Sequence, residues 1–160
     1  MTVRLRAAGA ADLPFVLSLA PRLAEFGLPS WRTAAQVVEA EGRALRRALD
    51  EGSPDAPVLL AEDADGSPLG FAYVETHTDY FTGRAHAHVA VLAVADRAEG
   101  RGIGRALLDA AEAWARRRGH PFITLNVFAR NARARAVYER LGYGAETLRY
   151  VKPLEQDSAP

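Results

Sequence analysis

"ADRAEGRGIGRALL", residues Ala95–Leu108, decides how the chain is organised. It follows "HAHVAVLAV" (86–94), whose apolar, β-branched content reads as a strand. It runs directly into Ile103, Leu107, Ala110 and Trp114, spaced as one face of a helix, with Glu112 and Arg116 as an i,i+4 pair. Between strand and helix stand glycines at 100, 102 and 104. The first amides of a helix have no partner inside it and point outward, where the helix dipole favours an anion. Glycines there remove the side chains that would keep a phosphate off the backbone. A pyrophosphate suits such a turn. So does a plain change of direction, and the three glycines alone leave both readings open. Two phosphate loops are excluded. The dinucleotide fingerprint needs glycine where Arg105 stands, and a Walker loop needs Lys-Ser/Thr where Arg105-Ala106 stands.

Upstream, Thr2–Arg6 alternates as a short strand, and Asp12 can cap a helix carrying Leu13, Val16, Leu17, Ala20 and Leu23 up to Gly27. Thr33 opens a second helix with Val37, Val38, Leu45, Ala48 and Leu49 on one side, broken by "EGSPDAP". "VLLAED" (58–63) and "LGFAYVETHT" (69–78) read as strands joined through Asp65-Gly66, a hairpin signal. Downstream, Gly119 ends the helix and "FITLNVF" (122–128) is a strand. Asn131 caps a helix running to Leu141, and "ETLRYVKPL" (146–154) reads as a last strand. The expected order is β-α-α-β-β-β-α-β-α-β. Helix and strand alternate only in its second half, which predicts an α/β (α+β) fold with a mixed sheet rather than a doubly wound one. Residues 1–154 are expected to form one domain and 155–160 a loose tail.

The 160 residues suffice for one core. Basic and acidic residues balance at 20 each, so no global field draws the chain to nucleic acid or an anionic membrane. There is no cysteine, which excludes disulfides, thiolate nucleophiles and Cys-ligated metals. No signal-length or membrane-length apolar run occurs, so a cytoplasmic location is expected. His77, His86 and His88 alternate with non-ligand residues, and no metal site is expected.

"VADRAEGRGIGRALL" followed by "LNVFARNARARAVYERLGY" resembles the GCN5-related N-acetyltransferase superfamily. Its Gln/Arg-x-x-Gly-x-Gly/Ala signature falls on Glu99-x-x-Gly102-x-Gly104, and Asn131, Tyr138 and Leu141-Gly142-Tyr143 match the second block. The likeness covers roughly Val3 to Leu154. It implies a mixed, mostly antiparallel central sheet flanked by helices, with the fourth and fifth strands splayed. It implies acetyl-CoA as co-substrate. Leu92, Ala93 and Val94 would pair with the pantetheine, and the amides of Gly100, Arg101, Gly102, Ile103, Gly104 and Arg105 would hold the pyrophosphate. Asn131 and Tyr138 would lie near the sulfur. Trp31, Asp79, Tyr80 and Phe81 fall in segments that form the acceptor side. Family members often dimerise, so a homodimer is carried as an expectation.

The implied reaction is attack of an amine on a thioester. An amine of pKa ~10.4 is neutral in about 1 part in 2,500 at pH 7, a cost near ~4.6 kcal/mol, so a base is useful. Tyr138 matches the family's usual acid for the leaving thiolate. Its plain alternative is packing in the helix–sheet seam. The base position on the fourth strand falls on His88, with Glu75 as competitor and a water chain as a third route. A small-molecule primary amine leads as acceptor. A protein N-terminus or lysine is the second reading, and a non-catalytic acyl-CoA-binding module the third. Glu99 departs from the family pattern. A carboxylate cannot donate to phosphate, so it is expected to point away, with Arg97, Arg101 and Arg105 offsetting its charge.

Overall fold

The computed structural model describes residues 3–154. Strand β1 (Arg4–Ala7) leads through a short 3-10 turn into helix α1 (Leu13–Ser18), and a second 3-10 turn covers Ala20–Ala24. Helix α2 spans Ala34–Glu51. Strands β2 (Val58–Glu62), β3 (Pro68–Thr78) and β4 (Ala85–Val94) follow as a meander. Helix α3 (Ile103–Arg117), strand β5 (Ile123–Leu125) and helix α4 (Ala132–Arg140) complete it. The sheet order is β1-β2-β3-β4-β5, antiparallel except for β4 and β5, which run parallel with α3 as their crossover.

The expected first helix is broken into three pieces. Pro21 lacks the N–H a continuing helix needs, and the chain tightens to 3-10 there. Helix α2 starts as its sequence predicts. Thr33 accepts from the Gln36 amide at 3.2 Å and the Gln36 side chain accepts from the Thr33 amide at 2.9 Å, a closed capping box. Strand β5 is three residues rather than seven. The expected last strand is absent: 145–154 is irregular, with Leu148, Tyr150 and Leu154 exposed. Its alternation was legible, but a strand needs a neighbouring edge to bond, and none of the described strands pairs with it. The expected tail, 155–160, lies outside the described residues.

Helices α1 and α2 cover one sheet face, where Val16, Leu45, Ala48 and Leu49 meet Leu60, Phe71, Tyr73, Val91 and Ala93. Helix α3 covers the other, where Leu108, Ala111 and Trp114 meet Val74, Ala87 and Val89. Tyr138, Leu141 and Tyr143 of α4 and the residues after it pack on that second cluster. Two β4 pairs therefore face opposite ways at the same parity. Ala87 and Val89 point to α3, whereas Val91 and Ala93 point to α2. The register explains it: Val74 pairs with Val89 but Tyr73 with Val91, leaving Ala90 as a bulge. His88 and Leu92, which simple alternation puts on one face, therefore lie on opposite faces of β4.

Candidate active site

The bulge marks where β4 and β5 part. Strand β5 pairs only with Ala87, His88 and Val89, while β4 runs five residues further, through Ala90–Val94, with none of the described strands on that edge. A wedge-shaped opening results, bounded by Leu92, Ala93 and Val94 on one side and the chain beyond Leu125 on the other. It leads to the glycine turn. Gly100 and Gly102 have φ of +71° and +78°, conformations costly for other residues, and a Cβ on either would project into open space. Gly102 is the N-cap of α3 and offers no side-chain cap. The amides of Gly100, Gly102, Ile103, Gly104 and Arg105 donate to no carbonyl among the described residues. The free β4 edge and the free amides make one continuous track of backbone donors and acceptors, apolar at one end and anion-seeking at the other.

Helix α4 supplies the opposite wall. The Asn131 Oδ1 accepts from the Ala134 amide at 3.1 Å, so only the NH2 of that side chain is left for a ligand. Tyr138 packs against the cluster that holds Val89, Leu92 and Leu125, the residues flanking the opening. Its hydroxyl makes no hydrogen bond among the described residues, and burial raises its pKa. The phenol is thus protonated, and ready to donate, across the whole working pH range.

Glu99 is met by cations from distant segments. Arg22 pairs with it from the turn after α1, and Arg133 reaches it from α4 at 3.0 Å. These partners, Arg133 foremost, hold its carboxyl below the usual range. Arg22 also pairs with Asp96 and with Glu25. Arg97 instead bonds the Pro68 carbonyl, and Arg105 lies 3.8 Å from Asp109. Nearby, a Cβ on Gly27 (φ +76°) would lie 2.6 Å from the Asn131 backbone nitrogen, so the loop before α2 touches the start of α4. Local sequence signals do not carry the contacts of Glu99 with Arg22 and Arg133 or of Gly27 with Asn131, because these join segments tens of residues apart.

On the α2 face, at the open end of β3 and β4, cross-strand pairing sets Glu75 beside His88 and His77 beside His86. The two Glu75 oxygens are both engaged, one by the Tyr73 hydroxyl at 2.8 Å and the other by the His77 Nε2 at 2.9 Å. The His77 ring stacks on His88 with centroids 4.4 Å apart. His88 Nδ1 meets the Thr124 hydroxyl at 2.8 Å. Burial, seconded by His77, pushes the His88 pKa down to about 4, so its ring is neutral at pH 7. Glu75 is a carboxylate held below its usual pKa by Tyr73 and His77 against its own desolvation. Trp31, on the loop before α2, is partly exposed, and Tyr80, 92% exposed, meets Phe81 at the β3–β4 hairpin tip. Among the described residues no set of three or more His, Asp or Glu could hold a metal ion. A concavity of about 600 Å³ between α3 and β1–β2, lined by Leu5, Leu59 and Trp114, shares no residue with the opening. No described helix is long and apolar enough to cross a membrane.

The sequence profile of the acetyltransferase (GNAT) family matches residues 24–143. A mycothiol acetyltransferase of Saccharomonospora viridis is 39% identical over 105 residues, 63% of this chain and 34% of that protein. The chain thus spans about a third of the length of such relatives. An aminoglycoside N(6')-acetyltransferase type 1 of Stenotrophomonas maltophilia is 36% identical over 107 residues, 63% of this chain and 69% of that protein. A GCN5-related N-acetyltransferase from Ralstonia eutropha superimposes with a TM-score of 0.73 at 21% identity, over 96% of this chain and 99% of that one. AAC(6')-Iy, in complex with a bisubstrate analogue of CoA and acetylneamine, does so at 0.68 and 20%, over 98% and 99%.

Proposed function

The chain belongs to the acetyltransferase (GNAT) family, and from that premise we propose that it transfers the acetyl group of acetyl-CoA to a primary amine of a small molecule, by direct attack in a ternary complex. One observation carries the reading: the free edge of β4 at Ala90–Val94 runs into five unpartnered amides between Gly100 and Arg105. The pantetheine amides match the strand edge, and the pyrophosphate matches the turn. Acetyl-CoA fits this donor set, since the groups offered are backbone donors and the glycines leave room beside them.

The roles of the side chains follow from their surroundings. Tyr138 is placed on the α3 side of the opening and gives its proton to the leaving thiolate. The acceptor approaches from the α2 side. His88, neutral there, takes the proton of the attacking amine, directly or through water. Glu75, with both oxygens bonded, orients His77 and the stacked His88 rather than acting as the base itself. Asn131 fixes the start of α4, and its NH2 is turned to the cofactor arm. The relatives with small-molecule names favour a small acceptor over a peptide, and Tyr138 with an intact turn favours an enzyme over a binding module.

The test is thiol release from acetyl-CoA with a panel of polyamines, aminoglycosides, arylalkylamines, amino acids and peptides. Saturable, amine-dependent release with a small amine supports the reading. Release with peptides alone, or CoA binding without turnover on any acceptor, contradicts it.

A further inference from the structure

Strand β5 is only three residues long, and alternation divides them between the two sheet faces. Ile123 and Leu125 pack into the cluster under α3, so Thr124 between them turns to the opposite face. The parallel register sets Thr124 beside His88. Its hydroxyl lies 2.8 Å from His88 Nδ1 and 3.4 Å from the Ala87 carbonyl oxygen. A hydroxyl has one proton to give, and a carbonyl can only accept. With that proton directed to Ala87, Thr124 turns a lone pair to Nδ1, and the ring must donate there. A neutral imidazole that donates from Nδ1 keeps its lone pair on Nε2.

The rest of the site leaves His88 no other partner in the plane of its ring. Glu75 sits across the strand pair, but one of its oxygens accepts from the Tyr73 hydroxyl and the other meets His77 Nε2. His77 stacks on the face of the His88 ring, where neither nitrogen points. His86, on the same strand, stacks on Phe122 instead. His88 Nε2 makes no hydrogen bond among the described residues, and it is not sealed in like the His86 Nδ1, which is buried without a partner. One ring nitrogen of His88 is thus anchored to the sheet and the other is open. The ring is neutral at pH 7, so which nitrogen holds its single proton decides whether the open one can take another.

We propose that Thr124 is a positioning residue: its hydroxyl holds His88 with the proton on Nδ1, so that Nε2 presents its lone pair to the attacking amine. This rests on the reading of His88 as the base in acetyl transfer and deepens it. As the amine nitrogen bonds the thioester carbon, its N–H bond breaks and the proton passes to Nε2. The Nδ1–H bond to Thr124 stays intact throughout. The C–S bond then breaks, and the thiolate takes the Tyr138 proton. Solvent removes the proton from Nε2 and returns one to Tyr138.

The imidazole 15N resonances of His88, assigned by their loss in His88→Asn, read the tautomer at pH 7 without turnover. The wild type is expected to show a protonated, pyrrole-type Nδ1 and a pyridine-type Nε2. Thr124→Val keeps the β-branched shape and removes the hydroxyl. Its His88 proton is expected to move to Nε2, where water can accept it, because Nδ1–H would be left without a partner. With the best amine of the acceptor panel, kcat at pH 7 should fall about tenfold or more in Thr124→Val, the KM for acetyl-CoA should stay unchanged, and Thr124→Ser should restore most of the loss. A wild-type His88 protonated at Nε2 overturns the proposal with no variant needed. So does a Thr124→Val protein that keeps the proton on Nδ1. A proton that moves to Nε2 in Thr124→Val while kcat stays at the wild-type value supports the hold of Thr124 on the ring and counts against His88 as the base alone.

Discussion

Replacing Gly102 with alanine separates the stability role of the glycine turn from its binding role. At φ +78° an alanine is strained by about 1–2 kcal/mol, and its Cβ meets no atom within 4 Å, so no clash adds to that cost. For a chain of this size the loss is about 2–8 °C in Tm. Gly52, which closes α2 at φ +56°, is the matched control: it too has open space at its Cβ, and it lies far along the chain from the turn. Gly52→Ala should therefore cost about as much stability as Gly102→Ala. The two should differ in affinity. The Gly102 methyl enters the space beside the unpartnered amides, where displacing one charge-assisted hydrogen bond costs about 1.5–3 kcal/mol. Calorimetry with acetyl-CoA should show Kd raised by at least about tenfold in Gly102→Ala and unchanged in Gly52→Ala. Equal affinity in the two variants would refute the assignment of the pyrophosphate to this turn.

Further outcomes follow from the side chains. Tyr138→Phe should keep acetyl-CoA binding and lower turnover at neutral pH by about 10²-fold or more, read by thiol release; full activity would remove Tyr138 as the acid. If His88 takes the proton, the acidic limb of kcat/KM should fall toward pH 4 rather than near the ordinary ~6.5 of a histidine. Between those two pH values the unfolded chain binds a proton that native His88 refuses, so stability should fall as pH falls through that window, and His88→Asn should shrink the drop in Tm between pH 7 and 5. Glu99→Gln frees Arg133 beside the turn, and acetyl-CoA should bind as tightly or more tightly, most visibly at low salt; clearly weaker binding would give the carboxylate a role beyond holding Arg22 and Arg133.

What the sequence made legible is what short-range chemistry decides. The helix start at Thr33, the cap at Asn131 and the strand–glycine–helix join at Gly102 each depend on residues within a few positions, and each stands where it was expected. The bulge at Ala90 left no local mark, since residues 89–94 are all apolar and no polar residue reveals which face each one takes. Only pairing with β3 reveals that His88 and Leu92 part to opposite faces. The ion-pair partners of Glu99 left no local mark, because Arg22 is 77 residues away in sequence. The stretch 146–154 shows the reverse failure, a strand pattern without a neighbouring edge among the described strands.

The central claim is that acetyl-CoA lies along the free edge of β4 with its pyrophosphate on the turn that follows. Titrating 15N-labelled protein with acetyl-CoA and following amide shifts and exchange tests it directly. The account predicts saturable changes at Gly100, Gly102, Ile103, Gly104 and Arg105 and at Leu92–Val94, with slowed exchange at the turn amides and little change at β1 and β2. Saturable binding that leaves those amides unshifted, or changes centred on the α3–β1 concavity around Leu5 and Trp114, would contradict it.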